Sequence, residues 1–127
     1  MSYKNLIVLN GRLERDKESK TFQVPQDQIL VITDIVIQNR KPGDEPVDVA
    51  AFSRIDIGQV MQFDTNLNRK VDLDIFFTIV GNETLNVHLK TGMVARTGFR
   101  ILNMINSNAP FIEYTITGFL TDRPVGL

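Results

Sequence analysis

The run from Ile29 to Asn39, Ile-Leu-Val-Ile-Thr-Asp-Ile-Val-Ile-Gln-Asn, constrains this chain more than any other stretch. It is the longest apolar run without a breaker, and it is rich in the β-branched residues that suit a pleated, half-buried surface. We read it as a central β-strand. Its odd positions, Ile29, Val31, Thr33, Ile35 and Ile37, form one almost wholly apolar face. Its even positions, Leu30, Ile32, Asp34, Val36 and Gln38, are apolar at three places of five. A strand with one wet face alternates more cleanly than this. The even face is therefore expected to be covered, by a second layer of the same chain or by another subunit. Leu30, Ile32, Asp34 and Val36 are the candidate subunit contact on that face. Asp34 is out of place among them, and an ion pair with an arginine such as Arg100, or backbone donors at an interface, would account for it.

The rest of the chain repeats the pattern on a shorter scale. Period-two alternation recurs between turn residues, and no segment has convincing helical periodicity. Strands are expected at Asn5–Leu13, Lys20–Val24, Val47–Ile55, Val60–Phe63, Val71–Val80, Thr84–Lys90, Phe99–Ile105 and Phe111–Thr121. Gly11 inside its strand suggests a bulge or a close backbone approach, and Gly118 suggests a bulge. Asn39–Pro46 is an exposed loop, and the spacing across Gly81-Asn82 suggests a hairpin. Eight or nine short strands predict an all-β fold: a two-sheet antiparallel β-sandwich, jelly-roll-like, of about eight strands. An immunoglobulin-like sandwich is the runner-up, without the Cys–Trp–Cys marks of the antibody type. A chain of 127 residues is expected to form a single domain over 1–127.

Charge and composition narrow the function classes. Fourteen basic residues face fifteen acidic ones, for a net charge of −1. A nucleic-acid binder would carry a clustered basic face. Arg12, Arg15, Lys17 and Lys20 do cluster, but Glu14, Asp16 and Glu18 are interleaved with them. The absence of cysteine removes thiolate catalysis, thiolate zinc sites and disulfides. There is no apolar window of membrane-spanning length. Leu6–Leu9 is too short for a signal-peptide core, so synthesis in the cytoplasm without a signal peptide is expected.

Few residues suggest chemistry. The one histidine, His88, falls on the polar face of its strand beside Asn86 and Lys90. A Ser-His-Asp triad would need it as base, yet there is no Gly-x-Ser-x-Gly elbow and no neighbouring serine. An enzyme would have to assemble a site from Asp34, His88 and an arginine. Asp64-x-Asn66-x-Asn68 matches the first half of a calcium loop, but Arg69 stands where glycine is needed and Ile75 where a bidentate glutamate would close the shell. Asp72 and Asp74 share a strand face and read as a solvated acidic stripe. No catalytic residue, metal or cofactor is expected.

The aromatic residues are eight Phe and two Tyr, with no Trp. Phe76, Phe111 and Phe119 fall opposite the strongest apolar rows, and if uncovered they form patches that call for a partner. Together with Leu30, Ile32, Asp34 and Val36 they make up the candidate interface. The reading that follows is a non-enzymatic structural protein that self-associates through β-sandwich faces, as a decoration or tail-associated component of a phage or virus particle. The alternative is a carbohydrate- or ligand-binding module that uses the loops Asn39–Pro46 and Asp64–Lys70, with or without calcium at the second. The expected partner is a second copy, or else a protein or glycan, with no nucleic acid and no membrane.

Overall fold

The computed structural model describes residues 5–19, 22–64, 69–96 and 98–124, and their side chains apart from 59–64 and 69–74. Among the described residues seven strands run β1 (Asn5–Glu14), β2 (Gln28–Arg40), β3 (Phe52–Asp64), β4 (Arg69–Val80), β5 (Thr84–Ala95), β6 (Arg100–Asn103) and β7 (Phe111–Asp122). A single 3₁₀ turn at Pro42–Asp44 is the only helical piece among the described residues. None of their helices is long and apolar enough to cross a membrane.

All pairings are antiparallel. One sheet is ordered β1-β7-β2-β5 and the other β6-β3-β4, and among the described residues strand pairing joins them at one residue pair, Met61 with Val94. An eighth segment lies against β6. Glu18 bridges Leu102, the Ser19 amide donates to the Ile101 carbonyl (2.8 Å) and the Phe22 amide to the Phe99 carbonyl (3.2 Å). With that segment added, the sheets hold four strands each, in the connectivity of a jelly roll built from two Greek keys. The fold is therefore an all-β, two-sheet jelly-roll sandwich, as the strand spacing predicts. The expected strand Lys20–Val24 survives only as this loosely bonded run, and Lys20 and Thr21 lie outside the described residues.

Three expectations change. Val47–Ala51 is not strand. The Asn82 side chain holds Val47 on both sides, accepting from its amide (3.1 Å) and donating to its carbonyl (3.0 Å), and a turn closes from Ala51 to Asp48. Beyond it, β3 runs unbroken to Asp64, absorbing Gly58 in a bulge between Ile57 and Val60. Gly81-Asn82 does not close a hairpin: β4 pairs with β3 and β5 with β2, so this turn carries the chain from one sheet to the other. The apolar rows Ile75, Phe77, Ile79 and Leu85, Val87, Leu89 then approach the core from opposite sides.

The largest change lies in β2. Its pairing with both β7 and β5 shifts between Ile32 and Asp34, which makes Thr33 a bulge residue. Leu30 and Ile32 point into the core before the bulge, and Ile35 and Ile37 after it. The phase of the alternation flips within the strand. Gly118 of β7 sits opposite, where a Cβ would collide with the Val31 carbonyl. Gly11 is also a close approach: the Tyr114 ring occupies the space where its Cβ would be.

The core is built from Leu30, Ile32, Ile35, Ile37, Ile55, Ile57, Ile79, Ile101, Ile112 and Ile116. Two buried asparagines tie the sheets together at one end. Asn39 donates from β2 to the carbonyls of Ile79 (3.2 Å) and Gly81 (3.1 Å), and Asn103 donates from β6 to that of Leu13 (3.1 Å).

Candidate functional site

The outer face of the four-stranded sheet is set by register. Four rows cross it from β1 through β7 and β2 to β5: Leu6–Phe119–Val31–Val94, Val8–Thr117–Asp34–His88, Asn10–Thr115–Val36–Asn86 and Arg12–Glu113–Gln38–Thr84. The first row is wholly apolar and the last wholly polar. In the last, Gln38 donates to Thr84 (2.6 Å), and Glu113 receives Arg12 at one oxygen (3.1 Å) and Arg40 at the other (3.1 Å). One end of the face is thus a bonded polar ladder and the other an apolar stripe reaching the free edge of β1.

Of the residues expected at an interface, Asp34, Val36 and Phe119 do lie on this face. Leu30 and Ile32 do not: they are 1% and 0% exposed. The bulge at Thr33 turns them inward, so they belong to the core and not to an interface. Phe111 is also buried, with the Arg12 guanidinium 4.9 Å above its ring. Phe76 is exposed on the other sheet, on β4, and carries the Arg54 guanidinium at 4.3 Å.

Asp34 pairs with His88 rather than with Arg100. The imidazole Nδ1 donates to one carboxylate oxygen (2.8 Å) and the Thr33 hydroxyl to the other (2.8 Å). The hydrogen bond from His88, then that from Thr33, holds the Asp34 carboxyl below the usual aspartate range. Arg100 instead reaches Glu18 (3.3 Å). Two members of the imagined catalytic group therefore meet, but on an open sheet face, and the neighbouring hydroxyl is bonded to the acid, not to the imidazole. The geometry orients the ring and does not supply a nucleophile.

Sequence reasoning named Phe76 but missed Leu6, Val8 and Val80, the rest of the apolar surface at the sheet edges. Leu6 is 71% and Val8 53% exposed on β1, which pairs with β7 alone, while Phe76 and Val80 are exposed on β4, which pairs with β3 alone. The signal was available for β1. From Asn5 to Gly11 it carries no charge and no proline, the residues that normally blunt a solvated edge.

Asn39–Pro46 leads into the start of β3, whereas Asp64 and Arg69 pair at its far end. The candidate calcium ligands Asp64, Asn66, Asn68, Asp72 and Asp74 have side chains outside the described residues. Beside the first loop an open groove of ≈ 410 Å³ is lined by Glu14, Arg15, Pro42, Asn108, Pro110 and Phe111.

No protein-family model matches the chain. No curated protein matches it either. Solved structures do resemble it. The Drosophila NLP core, described for pentamer formation and histone binding, is 16% identical over 91% of this chain and 98% of its own, with a TM-score of 0.47. The family 32 carbohydrate-binding module of C. perfringens NanJ in complex with galactose is 8% identical over 94% of this chain and 100% of its own, with a TM-score of 0.40. A capsid chain of cyanophage Pam1 is 10% identical over 91% of this chain and 85% of its own, with a TM-score of 0.36. These are likenesses of strand arrangement.

Proposed function

We propose that this chain is a non-enzymatic structural protein that self-associates through the edges and faces of its sandwich, as a component of a virus or phage particle. The observation that carries the reading is the exposed apolar side chains on two free edges, Leu6 and Val8 on β1, Phe76 and Val80 on β4. Because β1 lies over β6 and β2 over β4, these edges occupy opposite flanks of the sandwich. A subunit with contacts on two flanks can touch more than one neighbour, which a shell, ring or fibre requires. Apolar surface at sheet edges is also what a soluble monomer avoids.

The ligand-binding reading has less behind it. In the groove beside the first loop, Phe111 is covered by Arg12 instead of being presented for stacking. The Asn108 amide there is bonded at both ends to backbone, accepting from Phe52 and donating to Ala50. Light scattering on the purified chain tests the assembly reading. The expected mass is a multiple of the single chain, rising with concentration. A monodisperse monomer at millimolar concentration would overturn it.

A further inference from the structure

We propose that β1 pairs edge to edge with β1 of a second copy, antiparallel, about a two-fold axis through Ile7. The inference rests on the self-association reading and names its contact. β1 is bonded to β7 over all ten of its residues with no shift in register. It is therefore a long, regular edge, whose outward backbone groups have no strand beyond them among the described residues. Such an edge is a template for another strand.

Charge decides which strand. Of the other sheet edges, β4 contains Arg69, Lys70, Asp72 and Asp74, β5 contains Lys90, and the segment beside β6 contains Glu18. Pairing β1 along the full length of any of these would set ionised groups against an apolar run and desolvate them without partners. A second β1 offers no such conflict over Asn5–Gly11.

Symmetry and side-chain chemistry then choose the register. A two-fold axis perpendicular to the sheet brings residues of the same face together, so the numbers of facing residues must sum to an even value. With the axis at Ile7, Leu6 faces Val8 of the second copy, Val8 faces its Leu6, and Asn5 faces its Leu9. Both exposed apolar residues are then covered by each other. An axis at Leu9 would instead set Leu6 against Arg12, which is already committed to Glu113. In the chosen register the apolar row Val94–Val31–Phe119–Leu6 runs on into Val8 of the second copy, within one continuous eight-stranded sheet.

The test has two parts. Leu6→Lys and Val8→Lys place a charge on exposed positions, so the fold should survive, as circular dichroism would verify. The mass by light scattering should fall at least two-fold relative to the wild type. Second, the chain has no cysteine, so oxidation of a mixture of Leu6→Cys and Val8→Cys chains reads the register directly. The mixed disulfide should exceed that formed by either variant alone, and by Val49→Cys, an exposed loop position that reports random collision. An oligomeric wild type whose mass is unmoved by both lysines would overturn the β1 contact while leaving self-association standing. Cross-linking no better than the Val49→Cys control would overturn the register. A monomeric wild type would overturn both proposals.

Discussion

The two halves of β2 obey opposite rules. From Leu30 to Ile32 the even positions face the core, with Ile29 buried beside them; from Asp34 to Arg40 the odd ones do. The bulge at Thr33 separates them. Asp34 explains why the flip is favourable. On unbroken alternation it would follow Leu30 and Ile32 into the interior, where a lone carboxylate is heavily penalised. One extra residue turns it out onto the sheet face, against His88, and returns Ile35 and Ile37 to the core. The lesson is that a strand's phase is set locally, by whichever residue cannot be buried.

Alanine substitutions on either side of the bulge put this contrast to its hardest test. Ile32→Ala removes a fully buried side chain and should cost about 2–5 kcal/mol. Val31→Ala, on the outer face and only partly buried, should cost well under half as much. Beyond the bulge the parity reverses: Ile35→Ala should be costly and Val36→Ala mild. Urea denaturation of the four variants measures it. A result in which all odd positions matter more than all even ones would restore a single uninterrupted alternation and remove the bulge from the account.

Gly118 gives a smaller effect with the same purpose. It faces the bulge, and a Cβ there meets the Val31 carbonyl and the Ile32 backbone. Gly118→Ala forces the two strands apart and should destabilise by about 1–3 kcal/mol, in the range of overpacked cores. If the chain tolerates alanine without loss of stability, β2 and β7 are not pressed together at this point. Gly11→Ala is a useful comparison, because its neighbour is the Tyr114 ring, a side chain that can swing, and not backbone.

The same contrast shows what could be read in advance. Strand class, the sandwich and its jelly-roll character follow from alternation and turn spacing, because those signals are local. β1, β4 and β7 alternate regularly enough for their spans to be read within a residue or two. The phase of β2 was not readable, since both of its faces are apolar and only the partner strands reveal the slip. The Gly81-Asn82 turn looked like a hairpin for a related reason: inward apolar rows on β4 and β5 fit one sheet or two facing sheets equally well. Val47–Ala51 was lost to a side-chain clasp from Asn82, a contact across 35 residues. As for the surface, Phe76 and Phe119 were flagged by parity alone, and parity cannot show that an arginine covers Phe111.

The smallest expected effect reports on the bulge most directly. Asp34 meets His88 only because the register shift turns its side chain outward. The hydrogen bond from His88 lowers its pKa, with that from Thr33 next in size. A folded-state pKa below the unfolded one means that the pair stabilises the fold above the unfolded aspartate pKa. That contribution is lost as the pH falls through the lower folded value. The pair is open to solvent, so screening keeps its effect on stability slight, and the titration itself is the better readout. Carboxyl NMR should find Asp34 titrating below an ordinary aspartate. His88→Ala should move the midpoint back up, only part of the way, because the Thr33 hydroxyl still donates. Replacing Thr33 by valine in that background should complete the return. An Asp34 that titrates as a free aspartate in the wild type would mean that the carboxylate is not held against His88, and the outward turn of β2 at Thr33 would need another cause.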